Sequence, residues 1–233
     1  MVPPMRAPLL AAFPVLAFAA TLVLWSWLLR QRFPPAVDVA CILGTLLLVP
    51  PVSWAGRRLL DADPTPRRTV AVTSLVHAAL MVLFGTAIVR AIVTAASWRG
   101  VELPVPRPLG LVLTWATGIA ALLTVANLAL RGLGAPFAIA LSRRLATSWL
   151  YSRTRNPMVL ATLAWLAAFG LLQRSALFVL WVVTVVAPAW IVFLKVYEER
   201  ELEIRFGAAY LEYRAATPFL WPGPARPRPA PEN

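Results

Sequence analysis

Long uncharged stretches alternate with short basic connections along this chain. The nearly uncharged runs extend from Ala7 to Leu29, Val39 to Gly56, Thr69 to Val89, Pro108 to Leu130, Asn156 to Gln173 and Ser175 to Leu194. Each is close to the roughly 20 residues that a helix needs to cross about 30 Å of hydrocarbon. The pattern therefore predicts an all-α, polytopic integral membrane protein of about six transmembrane helices. Only Arg174 separates the last two runs, which predicts a tight helical hairpin with Gln173, Arg174 and Ser175 at its tip.

The pattern changes between the fourth and fifth runs. The breaker cluster Arg131-Gly132-Leu133-Gly134-Ala135-Pro136 precedes Phe137, Leu141, Leu145 and Trp149 at four-residue spacing, with Arg143 and Arg144 on the other face. This predicts a short amphipathic helix lying in the cytoplasmic interface. After the sixth run, the acidic stretch beginning at Tyr197 predicts a cytoplasmic C-terminal helix, and the Pro-rich end reads as a disordered tail. Three regions follow: four spans in 1–130, a unit in 131–222 made of interfacial helix, hairpin and acidic helix, and the tail 223–233. At the start of the chain, Arg6, Leu9 to Leu16 and Ala17-Phe18-Ala19 imitate a cleavable leader. Apolarity continuing through Leu29, with Trp25 and Trp27 placed as an aromatic belt before Arg30 and Arg32, favours an uncleaved anchor.

Composition narrows the function classes. With 60% apolar and 14% charged residues, the chain lacks the polar surface of a soluble fold. The single cysteine, Cys41, excludes an internal disulfide and a cysteine metal cluster, and no metal is expected. A formal charge of +12 could suggest nucleic acid, yet the basic residues are scattered between apolar runs instead of forming one stripe. Anionic lipid headgroups account for them better, so the bilayer is the expected partner and nucleic acid is not. Counting Lys and Arg on alternate sides gives 16 against 6, which predicts both termini in the cytoplasm and suits a cell inner membrane.

Two charged constellations flank the final hairpin. In Tyr151-Ser152-Arg153-Thr154-Arg155-Asn156-Pro157, Pro157 suits the first turn of a helix and Asn156 its N-cap. Free N–H groups beside arginines suit a carboxylate or phosphate, although an ordinary cap with positive-inside arginines gives the same residues. In Tyr197-Glu198-Glu199-Arg200-Glu201-Leu202-Glu203, Glu199 and Glu203 are like charges one turn apart, which calls for a cation to offset them. Glu201 and Arg205 form a favourable pair at the same spacing, so a solvated, salt-bridged helix is the plain alternative. The hairpin brings Arg155 and Asn156 back toward Glu198 and Glu199. A membrane mouth carrying both signs suits S-adenosyl-L-methionine, whose amino group and sulfonium are cationic and whose carboxylate is anionic.

These residues resemble the family of isoprenylcysteine carboxyl methyltransferases and phospholipid methyltransferases. Its members look like G-x-Y-x-x-x-R-[HN]-P-x-Y-x-G, then a helical hairpin, then E-E, then F-G-x-x-Y-x-x-Y. Tyr151, Arg155, Asn156, Pro157, Glu198, Glu199, Phe206, Gly207, Tyr210 and Tyr213 match in order, within about Leu145 to Pro222. Trp149 and Ala161 stand where the family often has glycine, and Val159 where it has tyrosine. The resemblance implies a membrane methyltransferase that uses S-adenosyl-L-methionine on a lipophilic, prenylated or phospholipid-like acceptor. It implies a cofactor pocket lined by Tyr151, Arg155, Asn156, Pro157, Val159, Leu160, Glu198 and Glu199 and closed by Tyr210 and Tyr213, with Arg155 and Asn156 catalytic.

The only histidine, His77, lies in the third run, remote in sequence from both constellations, and reads as a satisfied intramembrane polar residue rather than a base. Two other classes compete. A sterol-type membrane reductase would bind a nicotinamide cofactor and want basic groups for the pyrophosphate. Arg153 and Arg155 suit it, whereas Glu198 and Glu199 do not. A transporter or scaffold would carry ionisable or broken midplane positions in several spans, and only His77 and Pro14 approach that.

Overall fold

A computed structural model describes residues 6–98, 101–132 and 144–223. The described residues are mostly helical and hold no β-strand, only the isolated bridge between Glu102 and Ser175. The helices are α1 (Arg6–Arg30), α2 (Pro35–Ala62), α3 (Pro66–Thr94), α4 (Arg107–Asn127), α5 (Pro157–Leu172), α6 (Ala176–Phe206) and α7 (Ala208–Ala216). Five of these segments are long and apolar enough to cross a bilayer; α5 is apolar but only 16 residues, about 24 Å at 1.5 Å per residue. The all-α membrane architecture is thus present, with a shorter fifth span than the others.

Three boundaries differ from the sequence pattern. The third run was expected to end at Val89 because Arg90 follows, yet α3 continues to Thr94. Arg90 is buried inside the bundle, where its Nε and Nη2 reach Asp38 at 2.7 and 2.6 Å. Its Nη1 donates to the carbonyls of Leu28 and Gln31, and Phe33 lies against its guanidinium 4.7 Å away. A charge whose three nitrogens are all engaged no longer has to end a span. The last helix runs unbroken through the acidic stretch to Phe206, so Glu198 to Glu203 belong to the rod that crosses the membrane. The interfacial helix expected over Phe137 to Trp149 falls mostly on 133–143, outside the described residues. Its described part is not helical, since 144–148 are irregular and a short 3₁₀ turn begins at Trp149. The tail beyond Gly223 also lies outside the described residues.

Packing follows chain order only in part. The helices α1 and α2 both lie on α3, α2 and α3 pack on α6, and α4 pairs with α5, which in turn returns along α6. The α4–α5 pair approaches at backbone distance, because a Cβ placed on Gly110 would stand 2.7 Å from the Cα of Leu172. The turn into α6 matches the expected tip. Arg174 adopts positive φ, and the Ser175 hydroxyl accepts from the Phe178 N–H at 3.2 Å. This leaves two walls, α1–α3 and α4–α5, facing each other across α6.

Candidate active site

The start of α5 is fixed by a segment that the sequence pattern did not single out. Residues 217–223 lie along 153–156: the Arg155 N–H donates to the Pro218 carbonyl at 2.9 Å, and the Gly223 N–H to the Arg153 carbonyl at 3.1 Å. The buried Thr154 hydroxyl donates to the Leu220 carbonyl at 2.8 Å. Pro157 occupies the first helical turn as expected. Asn156 stands at the N-cap position, but its side chain does not cap; Nδ2 donates to the Phe219 carbonyl at 2.8 Å instead. Phe219 also carries the Lys195 ammonium 3.9 Å above its ring. Only the Pro and aromatic content of Thr217-Pro218-Phe219-Leu220 hinted that this strap is ordered.

Trp149, where the resembled family often has glycine, has φ of 64°. That is the left-handed region in which a side chain costs energy and glycine does not.

The hairpin brings the two constellations together. Arg155 Nη1 lies 2.9 Å from Glu199 Oε1 and 3.4 Å from the Tyr210 hydroxyl. Lys195 Nζ reaches the same carboxylate oxygen at 3.3 Å. Glu203 is paired with Arg200 and Arg214, and Arg205 holds Glu201 at 2.6 Å, so cations do offset the acidic run. Glu198 is different: among the described residues its carboxylate has neither an ion pair nor a hydrogen bond. Arg155 is its complement: its side chain is only 9% exposed, and among the described residues its buried Nε has no hydrogen-bond partner.

A local change of helix pitch aims Glu198. Leu194–Glu198 forms a π-turn, with five residues between hydrogen-bonded groups, so Glu198 follows Phe193 on one face. Tyr197, which regular winding would have placed there, turns into the core, and its hydroxyl meets Thr73 Oγ1 at 3.0 Å.

Two cavities meet at these residues. The polar one is lined by Arg155, Asn156, Glu198, Glu199, Tyr210 and Tyr213, with Leu194 and Leu202 one turn to either side of Glu198. The larger, of about 760 Å³, runs between the two helical walls and is mostly apolar. It also includes Arg155, Asn156 and Glu198, together with Tyr151 and Val159. Pro157 and Leu160 line neither cavity. Trp115, Ile119 and Leu122 of α4 line the larger cavity while remaining 68, 54 and 69% exposed, so its side opens beside α4 toward the bilayer. His77, remote in sequence from the charged groups, lines it as well.

The tyrosines lie where the acidic and basic groups converge. Tyr213 donates to the Tyr151 carbonyl at 2.7 Å. Burial pushes the hydroxyls of Tyr151, Tyr210 and Tyr213 above the usual phenol range, with Glu198 adding to the effect at Tyr151 and Glu199 at Tyr210. They remain neutral donors at physiological pH. Among the described residues no cluster of His, Cys, Asp and Glu has the makings of a metal site.

Residues 105–209 match the phospholipid methyltransferase family model. The matched stretch holds α4, the hairpin of α5 and α6, the Arg155-Asn156-Pro157 turn and the Glu198-Glu199 pair. It bears out the family resemblance and, with the apolar helices, supports an integral membrane methyltransferase of the phospholipid or isoprenylcysteine type. No curated protein and no solved structure matches the chain.

Proposed function

We propose that this membrane protein transfers a methyl group from S-adenosyl-L-methionine, bound at the cytoplasmic mouth of the hairpin, to an amphiphile held in the apolar cavity. The observation that carries this is the meeting of two opposite unpaired groups: among the described residues the buried Arg155 Nε has no acceptor and the Glu198 carboxylate no ion pair. The amino-acid end of the cofactor is a zwitterion and supplies both. One such contact near 4 Å is worth up to about 4 kcal/mol at an effective dielectric of 20, before desolvation.

Bound there, the cofactor supplies a methyl group activated by a positively charged sulfur. Arg155 holds the carboxylate, and Glu198 the cationic side. Glu199 keeps the Arg155 guanidinium oriented, Tyr210 and Tyr213 close the polar cavity, and Tyr151 lines the larger one. Val159 lines the larger cavity. Pro157 and Leu160 act through the backbone: proline starts α5, and the Leu160 N–H accepts its place in the helix by donating to the Asn156 carbonyl at 3.1 Å. Arg155 and Asn156 belong to both cavities, so they stand where cofactor and acceptor meet, and positioning there accounts for catalysis.

The acceptor enters sideways past α4, its tail in a cavity whose size lies within the usual range for ligand sites. Each buried methylene contributes roughly 0.8 kcal/mol, so tail length controls turnover. We assign residues 131–222 as the methyltransferase unit and 1–130 as the membrane frame, whose α1 and α3 complete the cavity wall. The 16 to 6 charge asymmetry supports cytoplasmic termini in a cell inner membrane. The test is a tail-length series of acceptors in mixed micelles with tritiated S-adenosyl-L-methionine, alongside a native lipid extract. Label should enter the lipid phase and rise with tail length. No labelling of any lipid fraction would sink the proposal.

A further inference from the structure

We infer that His77 is a further functional residue: its Nε2 accepts the hydrogen of a protic nucleophile on the acceptor, so that the site is built for N–H, O–H or S–H groups. The inference rests on the methyl-transfer reading for its chemistry.

The ring is held in one orientation. Nδ1 lies 2.9 Å from the Thr73 carbonyl, which can only accept, so Nδ1 carries the proton and Nε2 keeps a lone pair. The ring stands edge-on to Phe193, with centroids 5.5 Å apart, and to Tyr197 at 6.3 Å. Among the described residues nothing hydrogen-bonds Nε2. The side chain lines the apolar cavity, which it shares with Arg155, Asn156 and Glu198.

Height along the membrane matters as much. Phe193 and Glu198 are the two ends of one π-turn, so a histidine packed on Phe193 lies about one turn deeper than the Glu198 carboxylate. A headgroup beneath the charged mouth therefore passes beside Nε2. The two threonines that line the cavity, Thr114 and Thr162, spend their hydroxyl hydrogens on the carbonyls of Gly110 and Met158.

The step balances without a further reagent. The acceptor's lone pair forms the new bond to the methyl carbon while the carbon–sulfur bond breaks and leaves its pair on sulfur. The hydrogen on the acceptor atom then passes to Nε2, and the resulting imidazolium returns it to water through the polar mouth. An ionised carboxylate brings no hydrogen and would meet the Nε2 lone pair with like charge density.

His77 is the only histidine in the chain, so ¹⁵N-histidine labelling of protein purified without a histidine tag reports this ring alone. In neutral detergent, the Nε2 resonance should sit at the position of a bare lone pair. Dodecylamine should move it upfield. Dodecyltrimethylammonium, with the same tail and charge but no N–H, should leave it in place. Equal responses to the two amphiphiles, no response to either, or a proton on Nε2 from the start would overturn the inference. None of these arms contains cofactor, so they read His77 separately from the methyltransferase assignment. With a protic acceptor, His77→Phe, which keeps the ring packing, should lower kcat by about 100-fold or more with KM nearly unchanged. An unaltered kcat would contradict a role in proton removal.

Discussion

Arg155 spends one nitrogen on Glu199, 2.9 Å away, while another, Nε, is buried without an acceptor among the described residues. A guanidinium divided in this way holds itself in place with one edge and offers the other to a ligand. Lysine keeps the charge but has a single point of donation. Arg155→Lys should therefore fold, retain the Glu199 contact and bind S-adenosyl-L-methionine at least about tenfold more weakly, the effect of roughly 1.4 kcal/mol. Calorimetry on detergent-purified protein measures this, and an unchanged Kd would show that Nε does not meet the ligand.

The pairing of Arg90 with Asp38 makes a different prediction, about stability. Arg90 is 1% exposed and ties the end of α1, the following connection and the start of α2 to α3. Removing one partner strands the other charge in a dry place, at a cost of about 3–5 kcal/mol, whereas replacing both with apolar residues of similar volume is far milder. Asp38→Ala should lower the temperature of irreversible unfolding in micelles sharply. Arg90→Met combined with Asp38→Leu should recover much of the loss. Equal stability of the single and double variants would show that the pair is not a structural tie.

Topology follows from which connections share an end of the bundle. Asp61 of α2 bonds Arg200 of α6 at 2.7 Å, which places the second-to-third connection beside the Glu198 mouth. Arg174 and Glu102 meet at the opposite end, 3.4 Å apart. Reporter fusions after Arg68 and Arg144 should accordingly be cytoplasmic, and one after Gln31 external. A periplasmic signal after Arg68 would reverse the orientation and place the mouth outside the cell.

Helix number and the meeting of Arg155 with Glu199 were legible in the sequence, because both follow from apolar length and from a connection too short to do anything but turn back. What was hidden depended on contacts between distant segments. Arg90 looked like the end of a span until Asp38, 52 residues away, neutralised it. Asn156 looked like a cap until the 217–223 strap supplied a carbonyl for its Nδ2. Glu198 and Glu199 looked equivalent; a π-turn and the Arg155 bond set them apart, and local spacing encodes neither. His77 and Arg155 are far apart in sequence, and the cavity that both line exists only once α3 and α5 face each other across α6.

That difference between the two glutamates gives the most direct test of the cofactor assignment. Glu199 is already engaged by Arg155 and Lys195, so Glu198 should be the carboxylate that meets the ligand. Loss of a charge-assisted hydrogen bond is worth about 1–3 kcal/mol. The measurement is the calorimetric Kd for S-adenosyl-L-methionine of the wild-type protein and of Glu198→Gln in the same detergent, with a reduced nicotinamide dinucleotide as comparison ligand. The wild type should bind S-adenosyl-L-methionine and not the dinucleotide, and Glu198→Gln should weaken that binding by about fivefold to 150-fold while unfolding at an unchanged temperature. Equal affinity in the two proteins, or binding of the dinucleotide alone, would contradict the account.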